Sequence, residues 1–336
     1  MRFSRFGFAG ALAFSLFATG AFAQGSDWVR PGSRPSCVAN PKFRVVDVSF
    51  PIVGIEAPSG RSALEELKGF GVETIFRYYD HENETLPGKT LLPAESDAII
   101  KAGMKIGVVF QHNNDNPVKF MDSTAGTADA KRALFLADQN KQPFGSAIYF
   151  GIDGPELHLS PLVREYKRNN GQPMSDERKE ELRRSGSEGK QVVARYPGFL
   201  ARGPTAFNVS DLGRVTPAMM RPLIKSYFDQ IAAQFADYKS RNGGKTYNIG
   251  MYCTAGMCSF GEKSRFADYF WLSPEGRNDP IFDTYLNGSS RLSLVQHLPT
   301  SCVGWRPVRD NQTFEMDFNQ VKARRPDFGQ WSAKRQ

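Results

Sequence analysis

The sequence predicts an α/β fold, a (β/α)8 (TIM) barrel with a long basic insertion after the fourth strand. Two observations indicate this fold: short β-rich runs alternate with helical stretches, and the runs number eight. Alternation of strands and helices is typical of a parallel sheet, and eight such units favour a closed barrel over an open sheet.

The strands and helices follow from local sequence patterns. One predicted helix begins with Pro93 and ends at Gly103, and another carries one apolar stripe that includes Ile224, Phe228 and Ile231. The predicted strands are 43–50, 74–79, 105–111, 146–153, 247–253, 269–273, 292–297 and 314–319. The predicted helices between them include 63–69, 93–103, 127–140 and 217–241.

The insertion, residues 157–216, is polar, carries more Lys and Arg than Asp and Glu, and is broken by glycines and prolines. Within it, residues 175–184 predict a short helix capped by Ser175. Loops that follow barrel strands lie on the active face, so the segment either overhangs the mouth or forms a solvated flap. In both cases we expect it to contribute little to the core.

The first residues have the features of a signal peptide. Arg2 and Arg5 precede an apolar run that ends in Ala21-Phe22-Ala23. The run is shorter than the roughly 20 residues that a membrane span needs, so a cleaved signal is favoured over an anchor. The predicted organisation is a signal peptide (1–23), an N-terminal extension (24–42) and the barrel (43–336). The protein is therefore expected to be exported, to the periplasm or beyond the cell, with no integral membrane segment.

Four cysteines indicate disulfides in an exported chain. Three connectivities are possible, and we favour Cys253–Cys258 as a local clamp with Cys37–Cys302 joining the chain ends. No nearby histidine completes a zinc set, and no phosphate loop or dinucleotide motif is present, so neither a metal nor a cofactor is expected. The net charge of +8 suits acidic partners such as anionic glycans, or serves solubility alone.

Acidic residues stand at or near the ends of three predicted strands: Asp47, Asp153 and Asp317. Strands one and eight are neighbours in a closed barrel, so Asp47 and Asp317 should be close, with Asp153 across the mouth. Glycoside hydrolysis needs one carboxyl group to protonate the leaving oxygen and another to stabilise or capture the cationic sugar. Other roles remain open: Asp47 could pair with Arg77, Asp317 could bond backbone groups, and Asp153 could form a turn before Gly-Pro.

Further side chains near strand ends are candidates for binding sugar hydroxyls or stacking on sugar rings. They are Arg77, Gln111, Tyr252, Trp271 and Gln296. Tyr252 and Trp271 could equally pack the barrel. The basic insertion has few aromatic platforms, so nucleic acid is not an expected partner.

Several motifs resemble the domain-of-unknown-function family 1906. They are Asp-Val-Ser in strand one, Arg-Tyr-Tyr in strand two, Leu-Leu-Pro-Ala-Glu, the stretch from Gln142 to Asp153, Ile-Gly-Met-Tyr, and Met-Asp-Phe-Asn. That family is described as glycoside-hydrolase-like, with a barrel similar to family-25 lysozymes. The resemblance extends from Phe43 to about Val321 and is interrupted by the insertion.

The resemblance implies roles for individual residues. Asp47 matches the first-strand acid, Asp153 the first acid of an Asp-x-Glu pair, and Asp317 with Asn319 the closing Asp-x-Asn. Pro155 stands where the proton-donating acid of that pair is expected, and Glu156 follows one residue later. Side chains change direction with each residue along a strand, so the donor is either absent or displaced to Glu156.

Two functions are compatible with these features. The first is a lysozyme-like glycoside hydrolase that acts on peptidoglycan or a similar cell-envelope glycan. The second is a catalytically inactive barrel that binds such a glycan. Whether Glu156 reaches the mouth discriminates between them. The sequence gives no indication of oligomeric state.

Overall fold

The computed structural model describes residues 44–56, 60–81, 88–207, 216–275, 279–297, 308–309, 312–313 and 316–335. The expected signal peptide, the N-terminal extension and the Cys37–Cys302 pair lie outside these residues. The strands are β1 (Val45–Asp47), β2 (Thr74–Tyr79), β3 (Lys105–Phe110), β4 (Ala147–Ile152), β5 (Asn248–Cys253), β6 (Tyr269–Leu272), β7 (Leu292–His297), β8 (Val308–Arg309), β9 (Gln312–Thr313) and β10 (Asp317–Val321).

The helices alternate with these strands over most of the chain. They are α1 (Ala63–Gly69), α2 (Pro93–Lys101), α3 (Pro117–Phe120), α4 (Ala125–Gln139), α5 (Pro155–Arg168), α6 (Asp176–Arg184), α7 (Ser187–Ala206), α8 (Arg221–Arg241), α9 (Ala255–Ser264) and α10 (Phe282–Gly288), with a 3-10 turn at Pro217–Met220. Eight strands close in the order β1-β10-β7-β6-β5-β4-β3-β2, and β8 pairs with β9 separately. The predicted eight-stranded α/β barrel is confirmed.

The last barrel strand differs from the prediction of a wholly parallel sheet. β10 runs antiparallel to both of its neighbours, β1 and β7. Asp317 therefore opens its strand instead of lying late in it, as expected from the sequence. Because β10 runs in the opposite direction, its first residue lies at the same end of the barrel as the last residues of the parallel strands. An antiparallel neighbour needs no crossover to the far end, which is the physical reason that the chain can return this way.

Large side chains fill the inside of the barrel. Phe76, Tyr149 and Trp271 contact one another there, with ring centroids 4.8 to 6.0 Å apart. Two positions beside these rings are glycines. A Cβ added at Gly107 would lie 2.4 Å from the Phe76 ring, and one added at Gly250 would lie 2.5 Å from the Tyr149 ring. Because this interior is packed, carboxyl groups can be hydrated only near its ends.

The segment after β10 closes the end of the barrel opposite the mouth. The Phe328 ring stacks on Phe76 at 5.9 Å, and Tyr149 Oη donates to the Phe328 carbonyl at 2.9 Å. Trp331 forms two backbone hydrogen bonds with Ile106, of 2.8 and 2.9 Å. The chain that follows β10 therefore covers this end of the barrel.

The segment 157–206 is helical and contributes to the core, which corrects the expectation that it would contribute little. Ser175 caps α6, as predicted, by accepting the Arg178 N–H at 3.2 Å. Apolar residues at helical spacing on α5 are buried; α7 packs against α5, and α6 packs against α7. The buried residues are Leu159, Leu162, Val163, Leu182, Val192, Tyr196 and Phe199. The many charges lie on the outer faces of these helices and mask the apolar stripe in the sequence.

A Tyr196→Phe variant should measure how firmly α7 is folded onto the barrel. Tyr196 is 1% exposed, and its hydroxyl donates to the Gln172 carbonyl at 2.8 Å. Losing this hydrogen bond should lower the free energy of unfolding by about 1 kcal/mol, measured by urea denaturation. Arg164→Gln is the control, because Arg164 forms an exposed ion pair and should change stability by less than about 0.5 kcal/mol. Equal effects of the two variants would contradict the packing of α7.

A disulfide joins Cys253 at the end of β5 to Cys258 in α9. This pairing confirms the predicted local clamp. Among the described residues, no helix combines the length and the apolar character that crossing a bilayer requires.

Candidate active site

The structure brings two of the three predicted acids together and places the third at the same mouth. Asp47, the last residue of β1, is the register partner of Asp317. Asp153 follows β4 directly. Burial raises the pKa of Tyr78 well above its ordinary value, and the charges of all three acids add to this rise. Tyr78 therefore lies within electrostatic range of Asp47, Asp153 and Asp317.

Asp47 is a buried carboxylate held by three donors. The Tyr78 hydroxyl donates to it at 3.0 Å, Asn319 Nδ2 at 2.7 Å and Gln296 Nε2 at 3.4 Å. Burial raises the pKa of Asp47 to about 6, although these hydrogen bonds act in the opposite direction. At neutral pH Asp47 is therefore mainly an anion, fixed in position by its donors.

Aromatic and hydroxyl groups in turn fix the donors to Asp47. Tyr252 Oη donates to Gln296 Oε1 at 2.5 Å, and Trp271 Nε1 donates to Asn319 Oδ1 at 2.7 Å. Gln296 also donates to Asp317 at 2.9 Å. Trp271 and Asn319 are at most 1% exposed, so they position the groups around Asp47 from inside the barrel.

Asp153 is partly exposed and has a different electrostatic environment. Gln111 Nε2 donates to its carboxyl group at 3.0 Å. Burial raises the pKa of Asp153 to about 8, the charges of Glu275 and Asp115 add to the rise, and Lys89 opposes it. At neutral pH this carboxyl group is therefore mostly protonated, which is the state that a proton donor requires.

Glu156 is turned away from open solvent. Gly154 adopts the left-handed conformation, with φ of +66°, and α5 begins at Pro155. This turn points Glu156 towards the end of β5, where Thr254 Oγ1 donates to its Oε1 at 2.6 Å. Glu156 is 7% exposed, and its Oε2 is buried without a hydrogen-bond partner among the described residues. Burial raises the pKa of Glu156, and its charge contributes to the raised pKa of Asp153.

Arg77 does not lie at the mouth, contrary to the sequence-based expectation. It is fully buried on the helix-facing side of β2, and its guanidinium group donates to Glu95 at 2.8 and 3.1 Å. Side chains alternate along a strand, so Phe76 and Tyr78 face the interior while Arg77 between them faces α2. Arg77 is therefore a structural ion-pair partner of Glu95, and the alternative pairing with Asp47 is absent from the described contacts.

Sequence reasoning missed three residues at the mouth: Tyr78, Lys89 and Glu275. Lys89 donates to the Gln111 carbonyl at 2.7 Å, and its ammonium group lies 5.2 Å from the centre of the Tyr78 ring. Alternation along β2 contains enough information to find Tyr78. Lys89 and Glu275 lie in loops, where no periodic pattern marks a position. Within the described ranges, no group of His, Cys, Asp and Glu is arranged to hold a metal ion.

Among solved structures, the chain is similar to the Mycobacterium tuberculosis Tat-secreted protein Rv2525c in complex with L-tartrate, at 15% identity over 86% of this chain and 99% of that chain, with a TM-score of 0.45. A second crystal form of Rv2525c, in complex with HEPES, gives 16% identity, 85% and 98% coverage, and a TM-score of 0.43. An uncharacterized B. stearothermophilus protein gives 11% identity, 84% and 97% coverage, and a TM-score of 0.38.

No curated protein matches the chain significantly. A family model does match, over residues 65–170, and its description is "Rv2525c-like, glycoside hydrolase-like domain". This match confirms the resemblance drawn from the sequence motifs: the chain is an eight-stranded α/β barrel, and its residues 65–170 are similar to the glycoside-hydrolase-like domain of that family.

Proposed function

We propose that this protein is an exported glycoside hydrolase that acts on peptidoglycan or a similar cell-envelope glycan. One observation carries the proposal: two carboxyl groups lie at the same mouth in different surroundings, Asp47 among hydrogen-bond donors and Asp153 near other acidic side chains. The pKa of Asp153 is raised to about 8 and that of Asp47 to about 6. Glycoside hydrolysis requires one protonated and one ionised carboxyl group, and this separation supplies both near neutral pH.

The proposed roles follow from these protonation states. Asp153, oriented by Gln111, protonates the leaving oxygen as the glycosidic bond breaks, and its carboxylate then takes a proton from the water that attacks the anomeric carbon. Asp47, with Asp317 beside it, stabilises the positive charge that develops on the sugar ring. Glu156 acts on Asp153 through its charge, which disfavours ionisation of Asp153.

The remaining candidates position groups or bind sugar. Gln296 and Asn319 orient Asp47 through the hydrogen bonds described above. Tyr252 and Trp271 support these two amides, and Tyr252 is the more exposed of the pair, at 8% against 1%. Sugar stacking is therefore proposed for Tyr252, and Trp271 is assigned to packing.

Export and substrate class rest on separate arguments. The signal features of residues 1–23 support export, and Rv2525c is itself described as Tat-secreted. The glycan substrate is supported by the glycoside-hydrolase-like family match. The resemblance to lysozymes narrows the proposed substrate to cell-envelope glycans.

A second candidate function is glycan binding without catalysis. The position of Glu156 favours it, because this carboxyl group is bonded to Thr254 and buried, and Pro155 occupies the place of the expected acid. In this case the mouth acids would bind sugar hydroxyls as hydrogen-bond acceptors.

Incubation of the mature protein with purified peptidoglycan and defined oligosaccharides separates the two functions. Cleavage should release fragments with new reducing ends, detected by mass spectrometry, and Asp47→Asn should reduce their yield. Sedimentation of the protein with the same cell walls measures binding. Binding without products would support the second function, whereas neither binding nor products would contradict both.

A further inference from the structure

A polar recess lies at the end of the barrel opposite the mouth. Its volume is about 320 Å³, and it is lined by Asn248, Asp268, Tyr269, Arg291 and Arg325. Asn248 and Tyr269 begin β5 and β6, and Arg291 immediately precedes β7. Arg325 comes from the segment that follows the antiparallel strand β10. The recess therefore forms where the starts of three parallel strands meet the returning chain.

Two guanidinium groups are anchored on one turn of this recess. Arg291 Nη1 donates to the Ala267 carbonyl at 3.2 Å, and Arg325 Nη2 donates to the adjacent Asp268 carbonyl at 2.9 Å. The Arg325 guanidinium group also lies 5.4 Å from the centre of the Tyr269 ring. Each guanidinium group has five N–H donors, so these contacts leave most of them available.

Among the described residues, the two arginines are not held in ion pairs. Neither Arg291 nor Arg325 forms a salt bridge in the part of the chain that the structure describes. Asp268 is the carboxylate among the lining residues, and its Oδ2 accepts the Ile249 N–H at 3.2 Å. The nearby Asp327 accepts from the Tyr269 hydroxyl at 3.2 Å.

Further basic residues lie at the same end of the barrel as the recess. The loops and segment at this end also carry Lys245, Arg265, Lys322 and Arg324. The opposite end carries the mouth carboxyl groups described above. These four basic side chains add positive charge at the end of the barrel that carries the recess.

We propose that Arg291 and Arg325 form a binding site for the phosphate or carboxylate groups of an anionic polymer. The planar guanidinium fork matches both kinds of oxyanion through paired hydrogen bonds. Asn248 adds a polar side chain, and the basic residues at the same end of the barrel attract neighbouring charges of the same polymer. The site goes beyond the proposed function and does not depend on it, because it leaves the mouth free.

Titration calorimetry with polyphosphate, polyglutamate, inorganic phosphate and a DNA oligonucleotide, at constant ionic strength in chloride, tests the site. Arg291→Gln and Arg325→Gln should each weaken polyanion binding by about tenfold or more, because each removes charge-assisted hydrogen bonds. Arg324→Gln is the matched control, at the same end but outside the recess, and should weaken binding less than about threefold. Asp268→Asn should strengthen it. Comparing polyphosphate with polyglutamate identifies which oxyanion is preferred.

Three outcomes would overturn the site. Equal losses of affinity in Arg324→Gln and Arg291→Gln would indicate diffuse surface charge. The absence of polyanion binding above the chloride background would indicate that no such site exists. A preference for DNA over both polymers would indicate a nucleic-acid surface. Arg325 contacts Tyr269, so circular dichroism must show that its variant is folded. If the Arg325→Gln protein is not folded, the Arg291→Gln variant tests the site instead.

Discussion

An Asp153→Asn variant is expected to lose about 100-fold to 10,000-fold in the rate of cleavage of any cell-wall glycan that the wild-type protein cuts. The amide cannot give a proton to the leaving oxygen, whereas Asp153, with a pKa of about 8, holds one at neutral pH. Initial rates of release of reducing ends, measured at pH 7 for the two proteins, provide the comparison. A variant with unchanged rates would remove Asp153 from the proposed mechanism.

The pH dependence of kcat/KM gives a second measure of the same site. The rate should rise as the pH increases through about 6, because Asp47 ionises, and should fall as it increases through about 8, because Asp153 loses its proton. Asp115→Asn is a useful control. It removes a charge that raises the pKa of Asp153, so it should keep the activity and move the falling limb to lower pH.

The Asp153→Asn substitution should also increase the stability of the protein, by an amount that depends on pH. The pKa of Asp153 is raised from 3.8 to about 8, so folding favours its protonated form. That contribution is fully present below pH 3.8 and is lost as the pH rises through about 8. Asn stays neutral, and each pKa unit amounts to about 1.4 kcal/mol. The free energy of unfolding of the variant should therefore exceed that of the wild type by a few kcal/mol at pH 8 and match it near pH 4. Thermal unfolding at several pH values measures this difference. A variant that unfolds, together with a wild type that cleaves nothing, would instead make these acids a structural network.

Replacing Arg77 by Met should produce the largest loss of stability that we expect. It leaves the Glu95 carboxylate, which is 7% exposed, without its guanidinium partner. Removing one member of a buried ion pair costs about 3–5 kcal/mol. The double variant Arg77→Met/Glu95→Leu should recover much of this loss, because no buried charge then remains unpaired. Urea unfolding of both variants provides the measurement.

The exposed pair Arg44–Glu73 supplies a control for this experiment. Its side chains are about half exposed, so Arg44→Met should cost less than about 1 kcal/mol. Equal costs for Arg44→Met and Arg77→Met would contradict the buried pair. Folded Arg77→Met protein should keep its KM for glycan, since Arg77 lies outside the mouth. A selective rise in KM would restore the substrate-binding role expected from the sequence.

Strand alternation separates what the sequence could predict about the mouth from what it could not. Asp47 shares its side of β1 with the buried interior residue Val45, and Tyr252, Trp271 and Gln296 also face inwards. All four lie at or near strand ends. Arg77 also lies near a strand end, but it is one residue out of phase with the inward-facing positions. A residue near a strand end therefore lies at the mouth only where the alternation of side chains along the strand also directs it into the barrel.

Other features depend on geometry that single residues do not encode. The direction of β10 is evident from its pairing with β1 and β7, whereas its composition suits either direction. The direction of Glu156 depends on the left-handed Gly154, which no alternation rule covers. The buried stripe of α5 is present in the sequence as Leu159, Leu162 and Val163 but is interspersed with charged residues.

The place of β10 as the last barrel strand along the chain makes barrel closure a late event in synthesis. Until Asp317–Val321 leaves the ribosome, β1 and β7 each keep a row of backbone N–H and C=O groups without a partner. Such open edges readily pair with other chains. A nascent chain that pauses before β10 is therefore exposed to aggregation, and a chaperone that shields sheet edges would protect it. The contacts between β1 and β10 span most of the sequence, so their formation is also the slowest kind of pairing during folding.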